Sequence, residues 1–147
     1  MNFINSDIEK YCLKFSSKET KLLQKLTRET YHKIMMPRMM SSHYMGLFLK
    51  LITSLKKPKK ILEIGMFTGY STICLANELT EEGELHTIEI NEEVIDFSSK
   101  FIKESKLEEK IHIHKGDAKK IISKMKTKFD LIFIDADKKN YCLYYDL

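Results

Sequence analysis

The stretch Ile61-Leu62-Glu63-Ile64-Gly65-Met66-Phe67-Thr68-Gly69-Tyr70-Ser71 decides how the rest of the chain is read. Its first four residues are an apolar run broken by one acid, the pattern of a buried parallel strand. Gly65 stops the run, Gly69 follows, and Ser71 opens a helix-like segment, Thr72-Ile73-Cys74-Leu75-Ala76. Glycine lets backbone approach a ligand closely, and a helix start offers unpaired N–H groups. A strand, a turn and a helix around a polar ligand are expected here.

Downstream, strand and helix signals alternate. The strand candidates are Ile61–Ile64, Leu85–Ile90, Ile111–His114 and Asp130–Ile134; the helix candidates are Thr72–Leu79, Glu92–Lys106 and Lys119–Lys126. Thr80-Glu81-Glu82-Gly83-Glu84 is read as a turn with Gly83 in a left-handed conformation. This alternation predicts an α/β fold with a doubly wound, mostly parallel sheet and right-handed crossovers. Ligands of such sheets sit outside the carboxyl ends of the strands. The residues closing each strand, Gly65, Glu89, Asp117 with Ala118, and Asp135, therefore matter most.

Upstream, residues 1–60 are expected to be a helical segment packed on the core formed by residues 61–147. Ser16-Ser17-Lys18-Glu19 has capping-box spacing, and Leu22, Leu23, Leu26, Thr30 and Ile34 mark one face of the helix that follows. Pro37 ends that pattern within the Met-rich link Met35-Met36-Pro37-Arg38-Met39-Met40. Such methionines fill core gaps, and beside a pocket they can touch a cofactor. Ser41 or Ser42 can cap a second helix whose buried face is predicted as Tyr44, Leu47, Phe48, Leu51, Ile52 and Leu55. Lys56-Lys57-Pro58-Lys59-Lys60 is a solvated connector.

The 147 residues fit one domain, with 43% hydrophobic and 31% charged residues as in soluble proteins. No apolar stretch approaches the roughly 20 residues of a membrane span, and Met1–Asp7 lacks a signal-peptide pattern, so a cytoplasmic location is expected. Cys12, Cys74 and Cys142 are odd in number and far apart, which suits reduced thiols. The net charge of +4 comes almost entirely from scattered lysines, with no basic stripe interleaved with aromatics, so no nucleic-acid partner is expected.

Two acids stand out. Glu63 interrupts an apolar strand, and a buried carboxylate needs either a ligand or structural hydrogen bonds from the following turn. Glu89 closes the second strand, where an acid can bind two ribose hydroxyls or favour the start of the next helix. With the Gly65–Gly69 turn they point to an adenosine-containing ligand. A pyrophosphate turn wants G-x-G-x-x-G, whereas bulky Met66 and Phe67 stand between these glycines. That spacing disfavours a nucleotide-dependent oxidoreductase. Glu63 would repel phosphate but attract an amine or sulfonium, which favours S-adenosylmethionine.

The fourth strand runs into Asp135-Ala136-Asp137-Lys138-Lys139-Asn140-Tyr141. Asp135 could ligate a hard divalent cation such as Mg²⁺, which takes only one or two protein carboxylates. Lys138 beside it, partly desolvated, could take a hydroxyl proton. A solvated acidic–basic turn is the plainer alternative.

Taken together, E-I-G-M-F-T-G-Y-S, Glu89, Gly116-Asp117-Ala118 and I-D-A-D-K-K-N-Y resemble the cation-dependent class I O-methyltransferases, the caffeoyl-CoA and catechol O-methyltransferase group. The resemblance runs from about Ser16 to Leu147. It implies a Rossmann-like fold and S-adenosylmethionine held by Glu63, Gly65, Gly69, Ser71, Glu89, Ala118, Asp135 and Asp137, with Met39 and Ser41 closing over it. It also implies Asp135 as metal and substrate contact, Lys138 as general base, a catechol-like or caffeoyl-type hydroxylated aromatic acceptor, and a homodimer. Ser41-Ser42-His43-Tyr44-Met45-Gly46 departs from the family's usual entry to the second helix, on the substrate side. The family continues past the equivalent of Leu147 with a fifth strand carrying an Asp-Asn pair that completes the metal site. The chain is accordingly expected to be a truncated domain with its first four strands. A non-catalytic remnant that binds S-adenosylmethionine or a partner subunit is the alternative.

Overall fold

The computed structural model describes residues 5–147; the first four residues of the predicted N-terminal helical segment, and of the Met1–Asp7 reading, lie outside the described residues. Three helices come first: α1 (Ser6–Phe15), α2 (Lys21–Lys33) and α3 (His43–Lys56). Then follow β1 (Lys60–Ile64), α4 (Tyr70–Ala76), β2 (Glu84–Glu89), α5 (Glu92–Ser105), β3 (Ile111–Lys115), α6 (Ala118–Ile122), β4 (Leu131–Ile134) and α7 (Tyr141–Asp146).

The four strands form one parallel sheet in the order β3-β2-β1-β4. The order reverses between β1 and β4, so the ligand-binding crevice belongs at the carboxyl ends of those strands. Parallel neighbours require crossovers, which the intervening helices supply. Ile61, Leu85 and Ile111 join Leu23, Leu26, Leu49, Tyr70 and Phe101 in a cluster on one face of the sheet. Leu62, Ile64 and Ile88 pack with Ala118, Ile122 and Tyr144 on the other. Alternation along each strand thus feeds two cores, the doubly wound α/β architecture expected from the sequence.

Local signals held in part. Leu23, Leu26 and Thr30 are the buried residues of α2, on the predicted face. Its N-cap, however, is Thr20, whose hydroxyl accepts from Leu23 N–H at 3.3 Å; Ser16 ends α1 instead. Ser42 caps α3 and accepts from Met45 N–H.

The predicted buried face of α3 packs only in part, with Tyr44, Leu47 and Ile52 half-buried. Gly46, Leu49 and Thr53 are buried, whereas Phe48, Leu51 and Leu55 are 56%, 55% and 74% exposed. The reason is close approach to α4. A Cβ at Gly46 would stand 2.8 Å from both Cys74 Sγ and Tyr70 Cε1, so the glycine side of α3 presses against that helix.

Other boundaries shift as well, and α4 spans Tyr70–Ala76 rather than Thr72–Leu79. Ser123 ends α6 after Ile122, well short of Lys126, and Ile90 lies beyond β2 and is exposed. Gly83 is not left-handed; it closes a turn by donating its N–H to Thr80 O at 3.0 Å, with Leu79 packed where a Cβ would go.

Candidate functional site

A cavity of about 700 Å³ opens at the carboxyl ends of β1, β2 and β4. This lies within the few hundred to a thousand Å³ usual for small-molecule sites. Its wall comes from the turns after β1, β2, β3 and β4, with Ile34, Met35, Met36, Met39, Met40 and Ser41 contributed by the link between α2 and α3.

Gly65 and Gly69 make the turn after β1 possible. Both have left-handed backbones, φ 99° and 85°. A Cβ at Gly65 would lie 2.5 Å from the Asp135 carbonyl oxygen, so only glycine lets β1 and β4 converge here. Between them Phe67 also has positive φ, 48°, a conformation that costs a bulky side chain energy and needs support. Glu89 supplies it: one carboxylate oxygen accepts from Phe67 N–H at 2.8 Å. The other accepts from Ile90 and Asn91 N–H at 2.9 and 3.0 Å, steadying the start of α5. A carboxylate offers about four lone-pair sites, so three amides leave little idle capacity and fix its orientation.

Glu63 is fully buried. Ser71 and Thr72 hydroxyls each donate to it at 2.5 Å, and Thr87, its register partner on β2, donates at 2.6 Å. Burial pushes its carboxyl up to about 7 against the pull of those three hydroxyls, with Asp135 adding a smaller push. Its partners are hydroxyl groups of α4 and β2, not the turn amides considered from sequence. Glu63 is absent from the cavity wall; Ser71, which it holds, is on it.

Of the residues predicted to hold a cofactor, Met39, Ser41, Gly65, Ser71, Glu89, Ala118, Asp135 and Asp137 all line the cavity. Glu63 and Gly69 stand behind it, Gly69 as the N-cap of α4. Thr68 is also on the wall, and its hydroxyl is fully buried without a hydrogen-bond partner. Amides, a carboxylate, an orphaned hydroxyl and flexible methionines together suit an adenosine group carrying a polar, charged tail.

The end of β4 is less complete. Asp135 is on the wall, and burial raises its carboxyl above the usual aspartate range while the Lys138 ammonium opposes the shift. Asp137 is committed elsewhere: Tyr144 hydroxyl and Asn140 Nδ2 both donate to it at 2.5 Å, and the tyrosine hydroxyl is the main cause of its lowered pKa. Lys138 is exposed and off the cavity wall, not partly desolvated as expected, because no described element covers the short turn Lys138–Asn140. Among the described residues, only Asp135 offers an uncommitted carboxylate here, and no set of three metal-ligating side chains surrounds it. This donor set is too small for a cation on its own.

Sequence reasoning missed several contributors. Thr72 and Thr87 hold Glu63, and Thr68 and Tyr144 line the cavity. Glu19 accepts from the Tyr70 hydroxyl at 2.6 Å, tying the segment before α2 to α4. These are ordinary residues at ordinary spacings; only the pairing of β1 with β2 brings Thr87 opposite Glu63.

Comparison with known proteins follows the same lines. The sequence model of the O-methyltransferase family matches residues 13–147. A caffeoyl-CoA O-methyltransferase of Populus trichocarpa is 35% identical over 106 residues, covering 68% of this chain and 43% of the plant protein. Among solved structures, a Podospora anserina methyltransferase bound to S-adenosylhomocysteine superposes with TM-score 0.91 at 28% identity, over 99% of this chain and 63% of that one. The Streptomyces achromogenes O-methyltransferase TomG, involved in tomaymycin synthesis and solved with S-adenosylmethionine, gives TM-score 0.89 at 28% identity, over 95% and 64% of the two chains. The chain spans less than half the length of the curated plant relatives it matches. No helix among the described residues is long and apolar enough to cross a membrane.

Proposed function

The chain belongs to the O-methyltransferase family, and on that footing we propose that it binds S-adenosylmethionine and serves methyl transfer to a hydroxyl of a catechol-like or caffeoyl-type aromatic acceptor. The observation that carries the proposal is the cavity at the β1–β4 switch point, whose wall includes Glu89, Ser71, Thr68 and the Gly65 turn. S-adenosylmethionine, when bound, would supply a methyl group on a positively charged sulfur.

In this reading Glu89 receives one ribose hydroxyl at the lone-pair site its three amides leave. Ser71, held by Glu63, orients toward the aminoacyl end, so Glu63 acts through the serine rather than by direct contact. Met39 and Ser41, on the cavity wall, close over the adenosine, and α2 and α3 serve as helical cover for the 61–147 unit. Asp135 and Lys138 face the acceptor side. With the cofactor bound, transfer to an acceptor hydroxyl would break the methyl carbon–sulfur bond, the electron pair staying on sulfur, and Lys138, in its neutral amine form, would take the hydroxyl proton. A Mg²⁺ ion at Asp135 would need most of its ligands from acceptor oxygens and water. The exposed apolar residues Phe48, Leu51 and Leu55 of α3 support a homodimer.

Calorimetry with S-adenosylmethionine and S-adenosylhomocysteine tests the cofactor; no binding of either removes the proposal. Mass spectrometry of a catechol panel, with and without Mg²⁺, tests the transfer. The commitment of Asp137 and the exposure of Lys138 favour a second reading, cofactor binding without turnover. Tight binding with no methylated product would select it.

A further inference from the structure

The other end of the sheet carries a group of side chains that the cavity does not use. α6 is only five residues long and sits over the carboxyl half of its sheet face, packing on Ile64 and Ile88 through Ala118 and Ile122. The amino half of that face is left partly open; His86 and His112 stand there, and His114 is two residues further along β3, in register with Ile88. His86 on β2 is in register with His112 on the edge strand β3. Their rings lie 4.9 Å apart, and the His114 ring stacks on His86 at 5.2 Å, 17° from parallel. Glu84, two residues before His86, projects from the same face.

Ligand-type atoms of Glu84, His86 and His112 all lie within 4.8 Å of one another, a group of three found nowhere else among the described residues. The ring nitrogens of His86 are not equivalent. Nδ1 is 2.9 Å from His114 Nε2, whereas Nε2 is buried, makes no hydrogen bond and faces Glu84 Oε2 at 3.5 Å. A buried ring nitrogen that makes no hydrogen bond and has only a carboxylate oxygen at 3.5 Å is poorly satisfied, and a cation between the two would satisfy both. If His86 donates Nδ1–H to His114, Nε2 presents a lone pair toward Glu84 and His112. Ligating histidines are commonly oriented in this way, by donating the other ring N–H to a neighbour.

We propose that Glu84, His86 and His112 bind a Zn²⁺-class divalent cation that staples the edge strand β3 to β2, with His114 orienting His86. Two imidazoles and a carboxylate suit zinc, with water in the fourth position. Tetrahedral zinc with bonds near 2.0–2.1 Å places its ligand atoms roughly 3.4 Å apart. Glu84 and exposed His112 would have to rotate to bring their ligand atoms from within 4.8 Å to that spacing. The competitor is Lys60, whose ammonium lies 3.0 Å from Glu84 Oε2 and is 41% exposed, free to swing into solvent. Phe129, edge-on to His86 at 5.5 Å, shields one side.

Calorimetric titration of the whole chain with Zn²⁺, paired with thermal melts, tests the site. The expected result is one bound equivalent that raises Tm. His112→Ala, at an exposed position that leaves the core intact, should weaken that event by at least roughly tenfold. Glu84→Gln should weaken it too, while Asp135→Asn and Cys142→Ser leave it unchanged. Cobalt in place of zinc should show nitrogen and oxygen ligation with no thiolate absorption. The proposal is overturned if zinc does not bind, if His112→Ala binds as tightly as the parent, or if the event is abolished by Asp135→Asn or Cys142→Ser.

Discussion

A methyl group on Gly65 would stand 2.5 Å from the carbonyl oxygen of Asp135, so the turn after β1 and the end of β4 meet without room for any side chain. That contact joins the two halves of the cavity. It brings the turn that would hold a cofactor against the residue that would face an acceptor. Gly65→Ala should therefore lower S-adenosylmethionine affinity at least roughly tenfold and cost about 1–3 kcal/mol of stability, by overpacking and by strain at positive φ. Calorimetry and urea melts read the two effects separately. Unchanged affinity would show that the convergence is structural only.

Glu63 makes stability depend on pH. Its folded pKa, about 7, lies above its ordinary value of 4.5, so between those values the folded state binds the extra proton. Stability from this group is fully present below about 4.5, falls as pH rises and is lost above about 7, an effect on the order of a few kcal/mol. Glu63→Gln should flatten that slope in thermal melts across the window. A parent and variant with parallel pH profiles would rule the linkage out.

Glu89 holds Phe67, Ile90 and Asn91 amides and is the only acid on β2 that lines the cavity. Charge-assisted hydrogen bonds contribute about 1.5–3 kcal/mol each, so Glu89→Ala should weaken S-adenosylmethionine roughly tenfold to a hundredfold. Adenine alone, which lacks the ribose diol, should lose much less. Equal losses for both ligands would assign the effect to the collapsed turn.

Gly46 packs α3 on α4 with 2.8 Å clearance to Cys74 Sγ and Tyr70 Cε1. Gly46→Val should destabilise the fold by about 1–3 kcal/mol or more, whereas Leu55→Ser, at a 74% exposed position, should change stability little. Chemical denaturation of both variants checks this. The reverse order would restore the helix face expected from hydrophobic spacing.

Lys138 is exposed and outside the cavity wall. Lys138→Met should leave Tm and cofactor affinity unchanged and, in a form of the protein that turns over, lower methyl transfer by on the order of 10²–10⁴, the usual contribution of a general base. Loss of cofactor affinity instead would give the lysine a binding role.

Much of the fold could be read locally. The run Ile61–Ile64 ending at Gly65 is a strand followed by a turn because apolar residues and glycine act through their immediate neighbours. The strand-closing acids Glu89 and Asp135 reach the cavity because parallel topology gathers carboxyl ends at one edge. Spacing failed where the answer depended on approach between distant segments. It could not tell that α3 turns its glycine face inward, since that is set by the distance to Tyr70 and Cys74. Thr20 rather than Ser16 caps α2 for a related reason: Glu19, which would complete the capping box, is engaged by Tyr70.

What the sequence determined by itself was the order of elements and the residue types at the ends of the strands, because backbone propensity and apolar alternation are short-range properties. Tertiary structure alone decided that Glu63 is enclosed by Ser71, Thr72 and Thr87, and that Glu84 and His86 share a face with His112. Those relations are set by strand register and helix packing, which place side chains within 2.5–4.8 Å although they lie 8 to 28 positions apart in the chain.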